Sequence, residues 1–459
     1  MLPLHTAGIV VLGASLAALG LTGCAHAPLN RMLTEEAAPR QVRIMPRPAG
    51  SPGDGTAIAL FFSGGGTRAA AFSYGVLKEL AQTPLPGPPP GRLLDDVEVI
   101  GAVSGGSFTA AYYCLYHDRI FEDFESRFLK RNVERGLAMR AANPCAWPRL
   151  MSPYFGRSDL AAEYYDWLLF KGATFGDLAK GGGRPYLAIN ATDMATGQHF
   201  VFSHPRFGLI GSSINDFPIA RAVAASSAVP LVLTPMTIKN YSGLPGAAQP
   251  RFVPREPGEP GEDSPRDVEV LRLLHSYADS TNRPYIHLVD GGLADNLGMQ
   301  SLIDDIIAVG GADRLMELGG LQRTKRLVVI VVNSAASRGE EWNRREAVPG
   351  MLTSILALGD RSGARANHQT MEAFRHALDA WKKHARDPGR TPGDSRDYYF
   401  IHVNFDALVD PSDRSYFRSL LTTFALPDST VDRLIAAGGK ILRDSPEFKR
   451  LLADLNTNP

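Results

Sequence analysis

The chain has 459 residues, of which 44% are apolar, 8% aromatic and 21% charged, the profile of a globular protein with one large domain or two ordinary ones. Its 48 Lys and Arg residues balance 48 Asp and Glu, so the formal net charge is zero. Nothing in that balance suggests a nucleic-acid partner, which needs a clustered basic surface to displace counterions.

Ala7 to Leu21 is an apolar run without a charge. It has the length of a signal-peptide core and is short for a membrane span. It ends in Leu21-Thr22-Gly23-Cys24, which resembles a bacterial lipobox. Residues 1–23 therefore read as a lipoprotein signal peptide and Cys24 as the lipidated first residue of the mature chain. Ala25 follows, with no Asp there to argue for inner-membrane retention, so the expected location is the outer membrane, lipid-anchored and facing the periplasm. An uncleaved anchor helix or a misassigned start codon is the alternative. Residues 24–55, rich in Pro, Ala, Arg and Gly, read as a tether.

From residue 56 to 459 the pattern is that of one domain. Ala57–Phe62 is a buried strand, Ser63-Gly64-Gly65-Gly66 a turn, and Thr67–Leu80 a helix with Phe72, Val76 and Leu80 on one face. After the Pro-rich loop Pro84–Gly91 come the strand Val97–Val103 and a small-residue helix Gly105–Tyr116. Strands follow at Pro185–Asn190 and His199–Phe202, then a helix at Ile219–Ser226. Asn240–Asp267, dense in Pro, Gly and Glu, reads as a surface insertion, either a plain loop or a lid. Beyond it lie the strand Tyr285–Val289, a helix from Asn296, and the strand Arg326–Val332. Helices over Met351–His384, a strand at Tyr398–Val403 and helices near Tyr416–Thr423 and Thr430–Leu442 make a helical C-terminal extension. Such alternation predicts an α/β fold with a mostly parallel sheet. Cys114 and Cys145 are either a disulfide pair in an oxidising compartment or two inert thiols. No Cys or His spacing resembles a metal site.

Three turns carry chemistry. Ser104 follows a buried strand and precedes a helix within Ala-Val-Ser-Gly-Gly, which places its hydroxyl on a sharp turn with small neighbours. Ser107 is a rival nucleophile one turn on. Gly64, Gly65 and Gly66 expose backbone N–H groups suited to a developing oxyanion; a phosphate loop is the weaker reading, because neither G-x-G-x-x-G nor a P-loop Lys is present. Arg68 follows, to hold the glycine loop, to attract an anionic head group, or simply as a surface residue. Asp290 ends a buried strand before Gly291-Gly292, where α/β sites are built. Helix capping is its alternative role, which Asp295 fits better.

Together these segments resemble the patatin-like phospholipases, which carry a glycine-rich oxyanion loop ending in Arg, a G-x-S-x-G elbow and a D-G-G or D-G-A aspartate in that order. Asn190-Ala191-Thr192-Asp193 with Gly197, and Ala224–Pro230, resemble two further segments of the family. The matches run from about Ala57 to Gly298. Departures are Ser63 where Asp or Gly is frequent, Ala69 where Gly often follows the Arg, and Ala102 at the first Gly of the elbow. The resemblance implies a three-layer α/β/α fold, Ser104 as nucleophile and Asp290 as base. It implies an oxyanion hole from Gly65 and Gly66 with Gly105, and metal-free, cofactor-free hydrolysis of phospholipid or lysophospholipid through an acyl-enzyme. The rival readings are a Ser-His-Asp esterase using His402, a transacylase, and a lipid-anchored binding or scaffold protein on a hydrolase fold.

Overall fold

A computed structural model describes residues 29–37, 55–85, 91–258, 263–336, 346, 367–372, 374–375, 378 and 396–457. One eight-stranded sheet organises them. Its strands are β1 (Thr56–Phe62), β2 (Val97–Val103), β3 (Tyr186–Asp193), β4 (His199–Phe202), β5 (Met236–Lys239), β6 (Tyr285–Val289), β7 (Arg326–Asn333) and β8 (Asp397–Asn404). The order is β8-β7-β1-β2-β3-β6-β5, with β4 also paired to β3. The first five of that order run parallel, β4 and β6 lie antiparallel to β3, and β5 is antiparallel to β6.

Parallel strands need crossovers, and these cover both faces of the sheet. Along β1, Ile58, Leu60 and Phe62 face one core, and Phe61 faces a second. The first core lies under α1 (Gly66–Gln82), α2 (Gly105–Tyr116), α4 (Arg157–Tyr165), α5 (Ile219–Ser226) and α9 (Asp428–Asp444). The second lies under α7 (Gln300–Val309), with Met371 and Phe374. The chain therefore has the expected three-layer α/β/α fold. A Cβ on Gly75 would meet the Ile435 carbonyl oxygen at 2.1 Å, and one on Gly438 the Phe72 carbonyl oxygen at 2.4 Å. Helices α1 and α9 thus touch backbone to backbone, and the C-terminal extension is built into the layer that carries the site.

Several local expectations shift. The strand expected over Pro185–Asn190 runs as Tyr186–Asp193, and the helix expected from Asn296 begins at Gln300. The helix expected at Tyr416–Thr423 is instead α8 (Pro411–Ser419), which leaves residues 420–423 outside the helix. Strand β5, helix α3 (Val133–Ala142) and helix α6 (Pro265–Ser276) were not foreseen; α6 begins within the expected insertion, capped by Ser264, whose Oγ accepts the Asp267 N–H at 3.2 Å. The preceding part of that insertion leaves β5 at Lys239, which pairs with Tyr285 at the start of β6. Asp290 follows the other end of β6, about 16 Å away at strand rise. The Arg255 N–H donates to the Ala308 carbonyl at 3.0 Å, near the C-terminal end of α7. These attachments anchor the described part of the insertion to β5, β6 and α7.

Within the stretch read as a tether, residues 29–37 are docked. Asn30 Nδ2 donates to Ser212 Oγ and to the Lys239 carbonyl, both at 2.8 Å, and the Leu33 N–H donates to the Gly211 carbonyl at 2.9 Å. The signal peptide, Cys24 and the rest of the tether lie outside the described residues. So does most of Met351–His384, of which residues 367–372 are helical. Cys114 is buried and Cys145 exposed, and both are free thiols; burial pushes the Cys114 pKa up. No helix among the described residues is long and apolar enough to cross a membrane.

Candidate active site

The site is assembled at the C-terminal ends of β1, β2 and β6. Between β2 and α2, Ser104 adopts φ 46° and ψ −119°. A side chain rarely takes that conformation, which costs on the order of 1–3 kcal/mol and persists only where the surroundings enforce it. The Ser104 N–H donates to Ser226 Oγ at 2.8 Å, and Ser226 Oγ donates in turn to the Asn190 carbonyl at 2.6 Å. The Ser104 carbonyl accepts from the Ser107 N–H at 2.9 Å and from Ser107 Oγ at 2.5 Å. Ser107 is fully buried, and its hydroxyl braces the Ser104 turn. Ala102 is fully buried in the core, so the methyl group that departs from the family pattern is accommodated.

Ser104 Oγ donates to Asp290 Oδ2 at 2.9 Å. The carboxylate is aimed by its own turn, because Oδ1 accepts the Gly292 N–H at 2.8 Å. The Asp290 backbone is fixed on both sides: its N–H donates to the Ala228 carbonyl at 3.0 Å, and its carbonyl accepts from Thr192 Oγ1 at 2.8 Å. Asp295 takes the capping role, its Oδ2 accepting the Gln300 N–H of α7 at 2.6 Å. His402 lies on β8 at the sheet edge, Nδ1 facing Asn404 Nδ2 at 2.9 Å and Nε2 facing Asn333 Nδ2 at 3.4 Å. Burial lowers its pKa to about 4. Its ring contacts are asparagines, and the partner of Ser104 is Asp290.

The glycine loop lies directly against the elbow. A Cβ on Gly105 would stand 2.1 Å from the Gly66 carbonyl oxygen and 2.6 Å from its nitrogen, so the close approach requires glycine. Gly65 and Gly66 have φ of 139° and 60°. Their N–H groups are not committed to other backbone carbonyls among the described residues. Gly64 differs from expectation: its N–H already donates to the Asn296 carbonyl at 3.1 Å, which removes it from the expected oxyanion donors.

Arg68 is buried, neither a surface residue nor open to a head group. Nε donates to the Ser334 carbonyl at 2.8 Å, Nη1 to the Leu420 carbonyl at 2.6 Å and Nη2 to Thr422 Oγ1 at 3.3 Å. Leu420–Thr423 is thereby clasped over the glycine loop, and the Thr67 N–H donates to the Thr423 carbonyl at 2.8 Å. One turn along α2 from Ser104, Phe108 packs against Phe128, Tyr165 and Phe424 with ring centroids 4.4, 4.8 and 5.4 Å away, an apolar wall beside the elbow.

Ser226 and Thr192 were not foreseen as site residues, although both lie in segments marked by the family resemblance. Thr423 and Ser334 carried no sequence signal. Asp193, in the same marked segment as Thr192, is structural: its carboxylate accepts from Arg283 and from the Tyr277 hydroxyl.

A family model described as patatin-like phospholipase matches residues 60–303, more than half of the chain. No curated protein sequence matches it. Among solved structures, human GIVD cytosolic phospholipase A2 is similar over 88% of this chain and 63% of its own length, with 12% identity and a TM-score of 0.44. The same human enzyme in complex with methyl gamma-linolenyl fluorophosphonate is similar over 88% of this chain and 59% of its own, with 13% identity and a TM-score of 0.42. The chain thus spans less than two thirds of the length of that enzyme.

Proposed function

The chain belongs to the patatin-like phospholipase family, and from that premise we propose that it is a serine acyl hydrolase cleaving phospholipid or lysophospholipid esters with a Ser104–Asp290 dyad. The observation that carries the reading is the 2.9 Å hydrogen bond from Ser104 Oγ to Asp290 Oδ2, made on a strained elbow. Ser104 Oγ attacks the ester carbonyl carbon as its proton passes to Asp290 Oδ2. The negative charge on the former carbonyl oxygen faces the N–H groups of Gly65, Gly66 and Gly105, which are preorganised and need no rearrangement. Collapse breaks the ester C–O bond, and the departing alcohol takes the proton from Asp290. Water then attacks the acyl-enzyme, loses its proton to Asp290, and releases the fatty acid as that proton returns to Ser104. The hydrogen bond from the Gly292 N–H keeps Oδ1 occupied and leaves Oδ2 to do this work.

A fluorophosphonate probe tests the chemistry. Labelling of the wild type, together with fatty-acid release from phospholipid or lysophospholipid vesicles, is expected. Both should vanish in Ser104→Ala. A folded wild type that neither labels nor releases fatty acid from either lipid would return the chain to the binding-protein reading. Lipidation at Cys24 and an outer-membrane location are part of the same proposal, motivated by Leu21-Thr22-Gly23-Cys24. Metabolic incorporation of an alkyne fatty acid into the wild type but not into Cys24→Ala is the expected result; equal incorporation in both would discard the anchor.

A further inference from the structure

The zero net charge of the whole chain conceals a local asymmetry. Between residues 130 and 157 stand six Lys or Arg residues and a single acidic one, Glu134. Lys130 is paired to Glu125 and Asp432, and Arg149 to Glu163. Arg131, Arg135, Arg140 and Arg157 have no carboxylate in ion-pair range among the described residues.

The same stretch buries little. Helix α3 has only Val133 buried, and neither of the two short helical turns that follow it, Pro144–Ala146 and Trp147–Leu150, has a buried residue. Large apolar side chains project from it and from the neighbouring helix end: Met139 is 63% exposed, Trp147 53%, Met151 71%, Tyr154 59% and Trp167 60%. Cations and rings interleave. The Arg140 guanidinium lies 4.2 Å from the Tyr164 centroid and 5.1 Å from that of Trp167, and Arg131 lies 5.8 Å from Trp167.

This face adjoins the catalytic site. Glu134 Oε1 accepts from Thr423 Oγ1 at 2.5 Å and from the Phe424 N–H at 2.8 Å, and the Thr423 carbonyl is bonded to Thr67 behind the glycine loop. Leu421, two residues from Thr423, is 61% exposed. On the other flank of the dyad, Leu231, Val232 and Leu293 are also exposed, in the two segments that hold Asp290.

We propose that residues 130–157, with Trp167, form a docking surface for an anionic lipid bilayer that brings the membrane beside the Ser104 site. Unpaired arginines supply the complement to anionic head groups. Projecting Trp, Tyr and Met side chains on a largely exposed segment suit insertion at head-group depth, where amphipathic rings are at home. A nucleic acid would use the arginines and leave the methionines unexplained. A second copy of the chain would need a complementary shape, which separate projecting side chains do not offer. The hydrolase reading enters only through the position of the Ser104 site.

The test uses the full chain carrying Ser104→Ala, so that no turnover alters the lipid. It is mixed with phosphatidylcholine vesicles, with or without phosphatidylglycerol, containing brominated acyl chains that quench tryptophan. Quenching is expected to be stronger with phosphatidylglycerol, and most of it should disappear in Trp147→Phe/Trp167→Phe. Arg131→Glu/Arg135→Glu/Arg140→Glu should weaken binding to the anionic vesicles by about tenfold or more, while the same substitutions with Ser104 intact leave fluorophosphonate labelling unchanged. Quenching that survives loss of both tryptophans, or anionic-vesicle binding unaffected by charge reversal, would overturn the proposal. So would a concentration-dependent dimer that Trp147→Ser dissolves, or nucleic-acid binding by this face without quenching. Loss of labelling in Ser104→Ala has no bearing on any of these outcomes, so failure of the hydrolase reading and failure of the docking surface can be told apart.

Discussion

Ser226 holds two backbones with one hydroxyl, accepting from the Ser104 N–H and donating to the Asn190 carbonyl. Ser226→Ala leaves both of those buried groups unpaired, which costs about 1–3 kcal/mol for each unsatisfied group. Denaturant unfolding should show the loss, and the rate of fluorophosphonate labelling should fall because the elbow is less constrained. Asp290→Asn keeps the shape and removes the proton acceptor. Fatty-acid release is expected to drop by about 10²–10⁴-fold, the usual worth of a positioned base, whereas His402→Gln should leave release near the wild-type rate. A large loss in His402→Gln, with the fold retained, would instead favour the three-residue esterase.

At the scale of elements, the site depends on two contacts between segments. The first joins the glycine loop to the elbow through the Cα of Gly105. Adding a methyl group there forces the Gly66 peptide away, so Gly105→Ala should cost roughly 1–3 kcal/mol through overpacking and also abolish labelling. The second is the Arg68 clasp on Ser334, Leu420 and Thr422. Arg68→Met keeps an apolar stem of similar length and deletes the donors. With hydrogen bonds to a charged group worth about 1.5–3 kcal/mol each, a stability loss larger than that of Ser226→Ala is expected, together with proteolytic cleavage near Leu421 that the wild type resists.

For the molecule as a whole, the acid limb of stability should contain the buried histidines. Burial lowers His199 and, clear of any ion pair among the described residues, brings His402 to about 4, below the unfolded value of about 6.5. Each therefore contributes stability that is present above about pH 6.5 and lost on acidification, for His402 as pH falls through about 4. Asp305, raised to about 6 by burial, acts in the opposite sense, its contribution being lost as pH rises through 6. The difference between wild type and His402→Gln isolates one histidine: the variant should lose less stability than the wild type between pH 6.5 and 4. The docked N-terminal segment provides a control remote from the site. Asn30→Ala removes the side chain that joins residues 29–37 to Ser212 and Lys239, and should destabilise by about 1–3 kcal/mol with labelling of Ser104 unchanged.

What the sequence determined by itself is local. Seven of the eight strands of the sheet were legible from apolar runs, and the three turns from glycines and the residues set among them, because a run or a turn is encoded by its immediate neighbours. The proposed nucleophile was read from one position: Ser104 immediately follows the strand, and Ser107 lies inside the helix. Tertiary structure alone decided what those turns meet. The bond from Ser104 to Asp290 spans 186 residues, a pairing expected only through the family resemblance of the two motifs; the clasp from Arg68 to Leu420 spans 352, and no pattern in either neighbourhood names that partner. The same holds for Gly64, equivalent to its neighbours as a glycine until Asn296 takes its N–H. It holds for residues 29–37, whose composition reads as linker because their stability comes from the groove they fill. Local conformational preference is written in adjacent residues, whereas hydrogen-bond partners across a sheet depend on the crossovers that bring strand ends together.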